Sequence, residues 1–221
     1  MKNLNYKTMR KIAFTLLMLL TLSMSAQVKF LGIPVDGTKS EMISKLKQKG
    51  YSLCKEPQLA ELDVLEGEFN GKDVHIAVVT NNNKVYRIVV QDVKTLDETG
   101  IKIRYNNLVN QFKNNKRYWF SPNNEQYLDD DFDISYEMLV NHQRIQADFT
   151  QKLSDEDIQK ILDRMPELKD EDPDIQEMIF NQAAYESNRV WFMISKLDGY
   201  NQYWIALYYE NLNNAPNGDD L

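Results

Sequence analysis

Residues 64–92 read VLEGEFNGKDVHIAVVTNNNKVYRIVVQD, and the punctuation of this stretch decides the fold. Three runs rich in Val, Ile, Phe and Tyr, from Val64 to Asn70, Asp73 to Thr80 and Lys84 to Asp92, are parted by Asn70-Gly71 and by Asn81-Asn82-Asn83. Asn and Gly accept positive φ at little cost, which tight hairpin turns demand. The stretch predicts a three-stranded antiparallel meander.

On its N-terminal side, Thr38-Lys39-Ser40-Glu41 has capping-box spacing, and Met42, Ile43 and Leu46 follow at helical spacing. Gly50 stops that helix, which spans Lys39 to Lys49. On the C-terminal side, Thr95 and Glu98 suggest a second capping box, opening a helix from Leu96 to Lys113. Asp133 to Val140 and Arg144 to Gln151 read as a hairpin turning at Asn141-His142-Gln143. Ser154 to Met165 is a capped helix ended by Pro166, and Asp172-Pro173 opens another. Val190 to Ser195 and Tyr203 to Tyr209 form a last hairpin across a loop containing Asp198-Gly199. Strands joined by tight turns give an antiparallel sheet, so the expected class is α+β with helices packed on one face. Helices followed by a meander or hairpin occur twice, which suggests two related halves, 27–120 and 121–212, joined near Ser121-Pro122. A polar tail, 213–221, follows and is expected to be mobile.

The first 26 residues carry Lys2, Lys7, Arg10 and Lys11 and no acid, then an apolar run from Ile12 to Leu22, then Ser23-Met24-Ser25-Ala26. These are the parts of a cleavable secretory signal. The apolar run falls short of the about 20 residues that a membrane-spanning helix needs. Export to the periplasm or beyond is therefore expected, with cleavage after Ala26 or Ser25. The only cysteine is Cys54, so a lipid anchor on a cysteine at the cleavage site and an internal disulfide are both ruled out. No stable membrane anchor is expected after cleavage. Loss of four cations takes the net charge from −7 to −11 (−7 − 4). Such a balance disfavours nucleic acid and anionic membrane as partners through a general field, though not a local basic patch.

The segment Phe30-Leu31-Gly32-Ile33-Pro34-Val35-Asp36-Gly37-Thr38-Lys39-Ser40-Glu41-Met42 is distinctive, as are Gly67-Glu68-Phe69-Asn70-Gly71-Lys72 and Asn81-Asn82-Asn83-Lys84-Val85-Tyr86-Arg87-Ile88. Together they resemble a group of uncharacterised exported proteins of gut Bacteroides-type bacteria, more closely over the first half than the second. That resemblance implies export and fold, and no activity. Gly37, Thr38 and Glu41 ahead of the meander also resemble the helix start of a small α/β repeat. The repeat is found in β-lactamase inhibitor proteins and in an outer-membrane assembly lipoprotein family. The likeness implies a binding module whose open, aromatic-rich sheet face grips its partner. The chain departs from the lipoproteins in lacking their anchoring cysteine.

Catalytic chemistry is poorly supplied. His75 sits mid-strand and His142 in a turn, neither beside a nucleophile motif such as Gly-x-Ser-x-Gly. Zinc-ligand spacing and phosphate-cradling glycine runs are missing. The acidic run Asp129, Asp130, Asp131 and Asp133 attracts calcium in principle. A helix–loop–helix calcium loop starting there would need Gly at position 134 and Glu at 140, where the chain has Ile134 and Val140. Asp170 to Asp174 fails in the same way, with Ile175 where the glycine belongs. With 33 acids, a carboxylate pair at glycosidase separation is expected by chance.

The richest local signal is the last hairpin, with Trp191, Phe192, Tyr200, Tyr203, Trp204, Tyr208 and Tyr209. Alternation puts Tyr203, Ile205, Leu207 and Tyr209 on one face and Trp204, Ala206 and Tyr208 on the other. Tyr and Trp are enriched at interaction hot spots. The expected function is thus an exported, non-enzymatic module without a cofactor. It would bind a protein or peptide in the cell envelope through an open antiparallel sheet. Trp204 and Tyr208 are the leading contacts, with Trp191 and Tyr203 beside them. An envelope glycan hydrolase using paired carboxylates, or a calcium-responsive ligand-binding protein, are the alternatives.

Overall fold

The computed structural model describes residues 27–120, 126–197 and 199–216. The secretory signal, the Ser121-Pro122 join, Asp198 and the tail from 217 onward lie outside the described residues. The chain is α+β. Its elements run β1 (Lys29–Phe30), β2 (Ile33–Pro34), α1 (Lys39–Gln48), β3 (Ser52–Leu53), α2 (Pro57–Glu61), β4 (Leu65–Phe69), β5 (Lys72–Asn81), β6 (Lys84–Asp92) and α3 (Glu98–Asn114). They continue with β7 (Tyr118–Trp119), α4 (Ile134–Leu139), β8 (Gln146–Gln151), α5 (Asp155–Arg164), a 3-10 turn (Pro166–Asp170), α6 (Pro173–Ser187), β9 (Asn188–Lys196), β10 (Tyr203–Asn211) and a short 3-10 turn (Leu212–Asn214).

Eight strands form one antiparallel sheet in the order β3-β4-β5-β6-β10-β9-β8-β7, and β1 and β2 pair as a separate hairpin. The meander forms as the turn residues dictate. Asn70 and Gly71 take φ of 54° and 71°, and Asn82 and Asn83 take 47° and 62°. Positive φ at both central residues matches the turn's twist to that of the strands. β10 lies between β6 and β9, pairing Tyr208 with Val89 on one side and with Trp191 on the other. Both outer strands, β3 and β7, are two residues long.

One sheet face is covered by the β1–β2 hairpin, α1, α3 and α4. Phe30, Met42, Leu46, Ile76, Ile88, Tyr105, Leu108, Phe192, Ile205 and Leu207 are buried there in one continuous core. α1 starts on the expected capping box, with Thr38 and Glu41 exchanging hydrogen bonds across the first turn. Ser154 and Asp157 do the same for α5. α5, the 3-10 turn and α6 form a smaller apolar cluster around Ile161, Leu168, Ile179 and Ala183.

Two readings need correction. The helix expected from Leu96 is capped by Asp97, not Thr95, and starts at Glu98. The Asp97 carboxylate accepts from the Gly100 amide at 2.8 Å, and a Cβ on Gly100 would stand 2.9 Å from that oxygen. Gly100 is thus fitted to the cap. The stretch from Asp133 to Val140 is not a strand, and the hairpin at Asn141-His142-Gln143 does not form, because Ile134–Leu139 is helical. Asp133 caps that helix by accepting from the Tyr136 amide at 2.7 Å, and Glu98 accepts from the Ile134 amide at 2.8 Å. Two acceptors for otherwise orphaned first-turn amides outweigh the β preference of Ile134 and Tyr136.

Candidate functional site

Strand alternation places His75, Ala77 and Val79 of β5, Arg87, Val89 and Gln91 of β6, Trp204 and Tyr208 of β10 and Met193 of β9 on the sheet face away from α1 and α3. All of them are at least partly exposed, so this face meets solvent. Its centre is ordered by side-chain contacts alone. Trp191 and Tyr208 stack with ring centroids 4.0 Å apart and an interplanar angle of 9°. The Arg87 guanidinium lies over Tyr208 at 5.7 Å, and that of Arg189 lies over Trp191 at 5.0 Å. Both arginines flank one acid: Arg87 Nη2 is 2.6 Å from Glu210 Oε1, and Arg189 Nη1 is 3.6 Å from Glu210 Oε2. Arg189 Nη2 also reaches Asp148 Oδ1 at 2.6 Å. Burial raises the Tyr208 hydroxyl above its ordinary pKa, against the opposing pull of Arg87 and Arg144.

The four expected contact residues therefore differ in access. Trp204 and Tyr208 are partly exposed on the open face. Trp191 shares that face but is 7% exposed, flattened under Tyr208 and Arg189, and its indole nitrogen has no hydrogen-bond partner. Tyr203 is fully buried on the helix side, its hydroxyl bonded to Ser135.

The opposite face holds a second feature, a cleft of about 890 Å³. Its floor is Leu207 and Tyr209 of β10, and its apolar walls are Leu108 and Phe112 of α3, Phe69 of β4 and Leu31 of the first hairpin. Tyr51 packs against Gly67, where a Cβ would stand 2.5 Å from the ring, and donates its hydroxyl to the Glu68 carbonyl at 3.0 Å. Gln151 bridges the far wall, accepting from the Lys29 amide at 2.6 Å and donating to the Lys29 carbonyl at 2.9 Å and to the Tyr118 hydroxyl at 3.2 Å. Lys29 Nζ donates to Asp157 and to Ser154, each at 2.8 Å. Burial, reinforced by the neighbouring Tyr118, holds the Tyr209 hydroxyl well above its ordinary pKa, and the Arg117 charge opposes this. No single segment supplies this cleft. Its residues come from positions 29 to 209, each ordinary in its own stretch of sequence, so sequence reasoning had no signal for it.

A third grouping also joins distant residues. Cys54 is buried, and its Sγ lies 3.7 Å from His75 Nε2. Glu66 stands opposite His75 in the strand register. His142 is exposed in the turn after α4, at φ 52°. Asp129, Asp130 and Asp131 are exposed, and Asp133 serves as a helix cap. Among the described residues, no three or more His, Cys, Asp or Glu side chains are grouped to hold a metal ion. Nor is any helix among them long and apolar enough to cross a membrane. No protein-family model, curated protein or solved structure matches the chain.

Proposed function

We propose that the chain is an exported binding module that recognises a protein or peptide through the open face of its antiparallel sheet, without catalysis. The observation that carries this reading is the half-exposed pair Trp204 and Tyr208 beside a side-chain array already ordered in the free protein. Arg87 and Arg189 are held by Glu210 and laid over the aromatic stack, so little rotamer freedom remains to be lost on binding. The face spans several strands without a deep cavity. Small ligands favour concave sites, whereas a broad aromatic and arginine-bearing face suits a macromolecular partner. The net charge of −7 argues against nucleic acid in that role. Because the edge strands are two residues long, a partner has almost no free backbone to pair with. It would be read by side chains on the face and not by strand addition.

The test is capture from cell envelopes with photo-cross-linking from the Gln91 position, comparing the native chain with a folded Trp204→Ala/Tyr208→Ala variant. One partner cross-linked by the native chain and lost by the variant is the expected result. Equal capture by both, or cross-links only from the helix-covered side, would sink the open-face reading.

A further inference from the structure

The cleft on the helix-covered side is independent of the open-face reading, because the sheet itself separates the two. Its volume, about 890 Å³, lies in the range of small-molecule sites. The polar groups of its walls are already partnered. Asp157 is taken by Lys29 and Ser154, Gln151 by the Lys29 backbone and Tyr118, and the Tyr51 hydroxyl by the Glu68 carbonyl. A ligand body therefore meets few polar groups in need of partners and gains by covering Leu207, Leu108 and Phe112.

The charges at the mouth are arranged differently. Lys116 and Arg117, in the turn between α3 and β7, line the cleft without a carboxylate partner. The Arg117 charge bears on the Tyr209 hydroxyl at the floor. Lys152, next to them, leans over the Trp119 ring at 5.5 Å. On the acidic side, Asp157 is paired, and strand alternation turns the Glu68 side chain to the other sheet face, beside Asp73. Asp155 is the lining carboxylate that offsets the two cations in part. A chain of net charge −7 thus presents a locally cationic rim at its largest apolar hollow.

We infer that this cleft binds an amphipathic anion, with the apolar body against Leu207, Leu108 and Phe112 and the acidic head at Lys116 and Arg117. The ligand class is a medium- or long-chain carboxylate or its phosphate counterpart.

Three probes with the same tail test this by calorimetry below their micelle-forming concentrations: dodecanoate, dodecanol and dodecylammonium. Dodecanoate should bind saturably and roughly tenfold or more tighter than dodecylammonium, as two partly solvated charges at contact distance imply. Dodecyl phosphate in a parallel titration separates the two head-group chemistries. A Lys116→Glu/Arg117→Glu variant, changed only at exposed positions, should keep its circular-dichroism melt and reverse the order of dodecanoate and dodecylammonium. The Trp204→Ala/Tyr208→Ala variant should bind dodecanoate as the native chain does. The proposal is overturned if none of the probes binds, if all bind alike, or if dodecanoate binding is lost with the open-face pair and not with the cation pair.

Discussion

Trp191 and Tyr208 face each other across the β9–β10 pairing as a nearly parallel stack, 4.0 Å between centroids and 9° between planes. The two rings lie on the solvent side of the sheet, yet Trp191 is 7% exposed. Trp191→Ala should cost about 3 kcal/mol, the low end for loss of a large buried aromatic, because part of the vacated space opens to water. Urea denaturation reads the loss. Tyr208 should become accessible to quenchers in the same variant. A cost under about 0.5 kcal/mol, as at an ordinary surface site, would show that the stack does not stabilise the sheet.

Arg104 meets Asp92 with two hydrogen bonds, Nε to Oδ2 at 3.1 Å and Nη2 to Oδ1 at 3.2 Å, and both side chains are 9% exposed. Removing one partner strands the other charge. Asp92→Ala should therefore destabilise by about 3 kcal/mol, while Asp92→Leu/Arg104→Leu should recover most of that loss. The same denaturation series checks both. A double variant no better than the single one would contradict the argument from stranded charge.

Gly67 leaves room for the Tyr51 ring, which a Cβ would approach to 2.5 Å. Ala at this strand position would ordinarily gain some stability over Gly. Here Gly67→Ala should cost about 1–3 kcal/mol, since the ring must leave its place over the cleft wall. Gly67→Ala in a Tyr51→Ala background should lose that penalty, and thermal melts of the four proteins give the coupling.

Alkaline pH should unfold the protein through its buried tyrosines. Burial raises Tyr105 and Tyr209 far above the ordinary value of 10.0, with the Asp148 charge adding to the first and Tyr118 to the second. A raised folded-state pKa means that the unfolded chain ionises first. The stabilisation is complete below pH 10 and is lost as pH climbs from there through the folded values. Each such tyrosine removes up to about 1.4 kcal/mol per pH unit in that window. Urea midpoints between pH 8 and 11 should fall, with tyrosinate absorbance appearing only on unfolding. Tyr105→Phe should move the alkaline midpoint upward.

The local parts of this fold were legible in the chain. Asn70-Gly71 and Asn82-Asn83 set their turns alone, and Thr38 with Glu41 and Ser154 with Asp157 are partners within one helical turn. What depended on distant residues was not legible. The stretch after Asp133 became helical partly because Glu98, 36 positions earlier, caps it. Tyr203 and Tyr208 were separated onto two faces by alternation, but the lid that buries Tyr203 comes from Ser135 and the helices. The flattening of Trp191 needed Arg189 and Tyr208 in register. The cleft needed residues from several segments to converge.

The position of β10 governs the order in which the molecule can assemble. Its nine residues bond to β6 along one side and to β9 along the other. Until Tyr203–Asn211 is in place, β4-β5-β6 and β7-β8-β9 are two separate ribbons, each ending in a long bare border. Such borders invite the wrong neighbour, and closing them requires contacts between residues more than a hundred positions apart, which is slow. The chain therefore completes its sheet only after nearly all of it has been synthesised. Up to that moment it remains loose enough to be threaded, extended, through a narrow passage.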